Sequence, residues 1–130
     1  MLKLSKKGGY AMKAMTFIAK SEKLVHVSDV ASAESISESL LRRIISDLEK
    51  GGLVETIKGR NGGVKLGKEI QKITVYDILY SVGEELGLTE CTKGEYCDRT
   101  AICSTTEFLG KLQTGFNSLL KMYTLDKIIK

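Results

Sequence analysis

The sequence predicts a mainly α fold: a winged helix-turn-helix with a two-stranded wing, then a cysteine-bearing loop and a long C-terminal dimerisation helix. Three observations predict it. Two short helical patterns lead into a longer one; a glycine-rich hairpin, LVETIKGRNGGVKL, follows directly; and a broad apolar stripe runs near the C-terminus.

Residues 7–20 carry Ala11, Met15, Ile18 and Ala19 at helical spacing. A short second helix is expected over 27–34, with Ser28 or Asp29 available as its cap. Ser35-Ile36-Ser37-Glu38 reads as a capping box, so a third helix should start there. Its Leu40, Leu41, Ile44, Ile45 and Leu48 fall on one face, and Gly51-Gly52 stops it. LVETIK alternates as a strand, GRNGG turns the chain, and VKL returns it. Thr74 and Asp77 resemble a second capping box, opening a fourth helix whose stripe is Val75, Ile78, Leu79 and Val82. Gly83 and Gly87 end it.

A long helix is expected over 105–123. At about 100° per residue, Phe108, Leu112, Phe116, Leu119, Leu120 and Tyr123 share about a third of its circumference. Such a face is too broad to leave in water, and it suits either packing onto the first helix or symmetric pairing with a second copy. Symmetric pairing is the preferred reading. Thr124 should cap a terminal turn ending at Ile128-Ile129. The expected organisation is a DNA-binding domain over 1–69, a linking helix and cysteine loop over 70–104, and a dimerisation helix with its terminal turn over 105–130.

No apolar run approaches the roughly 20 residues of a membrane span. Lys13 and Lys20 interrupt what would be a signal-peptide apolar region. A cytoplasmic, reducing setting is therefore expected, and no membrane partner. Charge is unevenly placed: residues 1–69 hold 13 Lys/Arg against 8 Asp/Glu, whereas residues 70–130 hold 7 against 8. Contact with nucleic acid, if any, belongs to the first half. No enzyme site is visible, because the sole histidine, His26, has no nucleophile partner and no phosphate-binding glycine motif is present.

Opposite its apolar stripe, the third helix carries Ser39, Arg42, Arg43, Ser46 and Lys50, with Ser37 at its start. Such a face suits a major groove, where Arg bonds guanine edges bidentately and Ser bonds phosphates or bases. The wing brings Lys58, Arg60 and Asn61 to a narrow basic tip fit for a minor groove or the backbone. A solvated surface accounts for either feature alone. Their combination, in this order, points to double-stranded DNA.

Cys91, Cys97 and Cys103 are the only cysteines and recur every six residues in CTKGEYCDRTAIC. Pairing into a disulfide would leave one thiol over. Thiolates converging on a soft metal suit the spacing, but three reduced thiols, or a zinc site short of its usual four ligands, remain open at this point.

The opening LSKKGGYAMKAM, the run ISESLLRRIISDLEKGGLV, the wing KGRNGGVKLGK, the segment ITVYDILYSV and the three cysteines together resemble the iron–sulfur cluster regulator (IscR-like) family of winged-helix repressors. The resemblance covers nearly the whole chain. It implies a homodimer on a palindrome-like operator, with half-sites near one helical turn apart or a multiple. It also implies an iron–sulfur cluster on Cys91, Cys97 and Cys103, [2Fe–2S] favoured over [4Fe–4S], whose occupancy changes DNA binding. On this resemblance Tyr10 matches a tyrosine of the opening motif, Ser39 a serine of the reading helix, and Lys58 a basic wing residue.

Three positions depart from the pattern. The family's cluster histidine falls at Thr106; an acidic ligand of the nitric-oxide-sensing branch falls at Gly9; and Arg42-Arg43 replaces an acid and an amide, so that family's operator does not transfer. Glu107, Thr106 and Asp98 are the nearby candidates for a fourth ligand. Sensing of nitric oxide or cysteine metabolism on the same scaffold, or cluster carriage without gene regulation, are the competing functions.

Overall fold

The computed structural model describes residues 4–21, 23–60, 62–84, 86 and 104–129. Helix α1 (Lys6–Lys20) begins where the Ser5 hydroxyl accepts the Gly8 N–H at 3.1 Å, and it buries Ala11, Ala14, Met15 and Ile18. Helix α2 (Val27–Glu34) has His26 at its N-cap with no side-chain cap bond. The cap expected from Ser28 or Asp29 therefore does not form. The backbone of Val25 is already paired with Val64, and the helix starts as soon as the chain leaves that bridge.

Ser35 closes α2 in the left-handed region (φ 55°, ψ 45°), so it cannot also cap the next helix. Helix α3 (Glu38–Lys50) is capped by Ser37, whose hydroxyl accepts the Leu40 N–H at 3.3 Å. The capping box expected over 35–38 is thus replaced by a single Ser37 cap, and Glu38 turns instead to Arg42. The inner face of α3 buries Leu41, Ile44, Ile45 and Leu48.

The wing is an antiparallel pair, β1 (Val54–Ile57) and β2 (Gly63–Leu66), in the register Val54↔Leu66 through Ile57↔Gly63. Its outer β2 edge is covered by Val25, which exchanges N–H···O bonds of 2.9 and 2.7 Å with Val64. Gly63 permits that approach, since a Cβ there would run into the Val25 carbonyl. A 3₁₀ turn at Ile70–Lys72, which the periodicity does not announce, leads to helix α4 (Val75–Ser81). The capping box at its start is as expected: Thr74 Oγ1 accepts the Asp77 N–H at 3.0 Å, and the Asp77 carboxylate accepts the Thr74 N–H at 3.2 Å.

Helix α5 (Ser104–Met122) and the short helix α6 (Leu125–Ile128) complete the described chain. Tyr123 lies just past α5, where its carbonyl accepts the Val75 N–H at 2.9 Å. Thr124 precedes α6, but its hydroxyl bonds the Asp126 carboxylate and caps no backbone group. The Leu125 N–H reaches the Ile73 carbonyl at 2.8 Å, stitching the end of the chain beside the start of α4.

One apolar cluster joins these elements: Met15, Ile18, Leu41, Ile44, Leu48, Leu53, Ile73, Ile78 and Leu125 are all fully buried. Each such side chain contributes about 1.5–3 kcal/mol relative to exposure. Among the described residues no helix is long and apolar enough to cross a membrane.

Candidate nucleic-acid interface and cysteine segment

The outward face of α3 presents Ser39, Arg42, Arg43, Ser46 and Lys50, all exposed. Burial of Leu41, Ile44, Ile45 and Leu48 turns this face outward, as an amphipathic helix requires. Arg42 donates from Nε and Nη2 to Glu38 Oε2 at 3.2 and 2.9 Å, which holds its guanidinium along the helix surface. Arg43 forms no ion pair among the described residues. Asp47, at the edge of this face, is engaged by Lys7 Nζ at 2.8 Å, which joins the first turn of α1 to α3. Ser37 is exposed, and its hydroxyl accepts the cap bond while keeping its own O–H to donate. Tyr10 is half-buried against the core, with Lys13 Nζ 6.0 Å from its ring centre.

Between α3 and the wing lies a cleft of about 470 Å³, walled in part by His26, Ser28, Arg42, Ser46, Glu49 and Lys58. Lys58 and Arg60 are exposed, and Asn61 lies outside the described residues. Three wall residues, His26, Ser28 and Glu49, are absent from the set expected of the sequence. His26 and Ser28 reach the cleft because the Val25 bridge sets the start of α2 against β2, a long-range contact without a local signal. Glu49 sits in the last turn of α3, where Oε2 accepts the Thr56 N–H at 3.2 Å and the Thr56 hydroxyl at 2.6 Å. These bonds, the hydroxyl first, hold its carboxyl below the ordinary value, and the charge of Lys58 adds to the effect.

Cys91, Cys97, Cys103 and Asp98 lie outside the described residues, as does the side chain of Thr106. Among the described residues no group of three or more His, Cys, Asp or Glu side chains gathers. Glu107 stands exposed in the first turn of α5, 3.8 Å from Lys111 Nζ. On the approach to the cysteine segment, Glu84 Oε1 accepts the Ser5 N–H at 2.9 Å, and its second oxygen accepts the Ser5 hydroxyl. A Cβ on Gly8 would lie 2.6 Å from Glu84 Oε2, so the glycine leaves room for this carboxylate at the head of α1. Two residues on, the Leu86 carbonyl accepts from Nε2 of buried Gln113 at 2.6 Å, and the same nitrogen donates to Asn117 Oδ1 at 2.8 Å. The approach to the cysteines is thereby bonded both to α1 and to α5.

Helix α5 leaves much of its apolar stripe uncovered. Phe108 is 63% exposed and Leu112, Leu119 and Tyr123 about half, whereas Phe116 and Leu120 are partly covered. Met122, which the stripe read from the sequence omits, is 63% exposed as well. Elsewhere α5 packs on α4, where Lys121 Nζ lies 4.6 Å from the Tyr76 ring, itself stacked on Tyr80.

A family model described as Rrf2, iron-dependent transcriptional regulator, matches residues 4–130. The chain is 36% identical to the HTH-type transcriptional regulator NsrR of Bacillus licheniformis, over 98% of this chain and 92% of that one. Among solved structures it is similar to T. potens IscR, with a TM-score of 0.77 and 29% identity over 98% of this chain and 86% of the other. It is also similar to CymR, the global cysteine regulator of B. subtilis, with a TM-score of 0.81 and 27% identity over 99% and 97% of the two chains. The winged-helix architecture expected from the sequence is the one these structures share.

Proposed function

We propose, from the premise that this chain belongs to the Rrf2 family, that it is a cytoplasmic DNA-binding transcription regulator of the repressor type, working as a homodimer whose grip on its operator responds to an iron–sulfur cluster. The observation that carries the reading is the exposed face of α3, with Ser39, Arg42, Arg43 and Ser46, standing beside a basic wing. Arg43 is the principal base reader and Lys58 and Arg60 hold phosphates. Tyr10, Ser37, Ser39 and Asn61 complete the proposed contact set. Pairing through the exposed stripe of α5 brings two reading helices to a palindrome-like site.

The donor chemistry fits a cluster: three thiols at even spacing form a soft set one ligand short of four, and Glu107 stands at the start of α5 to offer an oxygen. Cys91, Cys97 and Cys103 would hold the group, which, when bound, supplies redox- and iron-dependent occupancy of this segment. Glu84 and Gln113 carry the consequence, because they tie the approach to the cysteines to Ser5 at the head of α1 and to the body of α5. Lys7 and Asp47 continue the link from α1 to α3. A change in the segment can act on DNA only by favouring one arrangement of these bonds over another. A coupling of about 1–3 kcal/mol gives several-fold to about hundred-fold changes in operator affinity.

A second reading, a regulator tuned to cysteine metabolism, is favoured by the likeness to the global cysteine regulator. Anaerobic reconstitution with iron and sulfide, followed by absorption spectroscopy and DNA titration of loaded and empty protein, separates the two. Visible absorption with a loaded-versus-empty affinity difference is the expected result. Identical binding of both forms to every duplex would remove cluster sensing and leave the second reading.

A further inference from the structure

The wing is only two strands wide, and both of its edges are held by groups that are not strands. On the β2 edge Val64 exchanges its backbone bonds with Val25. Thr56, opposite Val64 in the register, turns its N–H the other way, out of the sheet and onto α3. What meets it there is one carboxylate oxygen of Glu49, which takes the Thr56 hydroxyl as well. An edge N–H with no strand beside it would otherwise depend on water.

We propose that Glu49 is a positioning residue for the wing, a strut between the last turn of α3 and β1 that sets how far the wing tip stands from the reading face. This rests on the reading of α3 and the wing as a DNA interface. Three facts carry it. Glu49 and Thr56 both wall the cleft across which Arg42 and Ser46 face Lys58. Two bonds to a single oxygen fix an angle as well as a distance. Lys58 follows Thr56 by two residues, immediately past the end of β1, and lines the same cleft, so a displacement at Thr56 is carried directly to it.

A carboxylate beside phosphates repels them, so its presence in this cleft costs affinity unless it does something else. Holding the wing at one pitch is that function. A wing held rigidly reaches its groove only on duplexes of matching width, so Glu49 makes the wing contact depend on DNA shape. The strut therefore contributes to specificity without touching a base.

The test uses the full chain and two duplexes: one enriched by the native chain from a randomised library, and a scrambled duplex of the same composition. Affinities are measured for Glu49→Ala, Glu49→Gln and Thr56→Val, each alone and combined with Lys58→Ala. In the native background Lys58→Ala should weaken the enriched duplex about five- to tenfold, and in the Glu49→Ala background about twofold or less. Glu49→Gln keeps an oxygen acceptor for Thr56, so it should restore the full Lys58 effect and bind at least as tightly as the native chain. Thr56→Val should move in the direction of Glu49→Ala, which keeps the proposal testable if that variant folds poorly. An equal cost of Lys58→Ala in both backgrounds overturns the strut, as does equal tightening by Ala and Gln, which would mark Glu49 as a mere repulsive charge. Failure of the native chain to enrich any duplex overturns the DNA reading, and the strut with it.

Discussion

Removing the Phe108 ring tests whether α5 pairs with a second copy. Phe108 is 63% exposed, on the same helix as exposed Leu112, Leu119 and Met122. Full burial of a phenylalanine contributes about 1.5–3 kcal/mol, so covering the exposed part contributes about 1–2 kcal/mol per chain. A two-fold interface counts each residue twice. Phe108→Ala should therefore weaken the dimer by about 2–4 kcal/mol, a rise in dissociation constant of about 30- to 1,000-fold. Sedimentation across a dilution series measures this directly. The melting temperature of the monomeric species should fall by only a few degrees, because the part of the residue already covered within the chain contributes about 0.5–1 kcal/mol. An unchanged dimer constant would refute the pairing and leave the stripe to another partner.

Arg43→Ala should relax sequence preference while leaving non-specific affinity nearly intact, whereas Lys58→Ala should lower affinity for scrambled duplexes as well as matched ones and flatten the salt dependence by about one unit of slope; titrations on matched and scrambled duplexes at several salt concentrations separate them. Cys97→Ala should abolish the visible absorption of anaerobically reconstituted protein, and an unchanged spectrum would remove the cluster assignment. The Glu49 carboxyl is held below its ordinary value by Thr56, so its bonds stabilise the fold fully above the usual carboxylate value and are lost as pH falls through the lowered one. Melting curves of the native chain and Glu49→Gln should accordingly converge on acidification.

Local regularities carried most of the architecture. The stripe of α3 was readable because a 3.6-residue period needs only neighbours along one helix, and the Thr74–Asp77 box because both of its bonds span three residues. Ser35 is ambiguous in the sequence because serine suits either side of a helix boundary, and only the closing geometry of α2 decides that it ends one helix and Ser37 begins the next. The site residues that periodicity leaves out depend on contacts between separate elements, some of them distant in sequence. Val25 meets Val64, Ser5 meets Glu84, and Glu49 meets Thr56 on a different element type. Periodicity cannot report such meetings. The outward charges of α3 and the wing were legible because charge at a polar face needs no partner to be seen.

The bond from Leu125 to Ile73, with the Leu125 side chain fully buried, makes α6 a plug in the body that carries the reading helix. Proteolytic removal of residues 123–129 would pull that plug from the shared apolar cluster. Loss of DNA retention in C-terminally clipped preparations would report damage to the packing, not to any contact with the duplex.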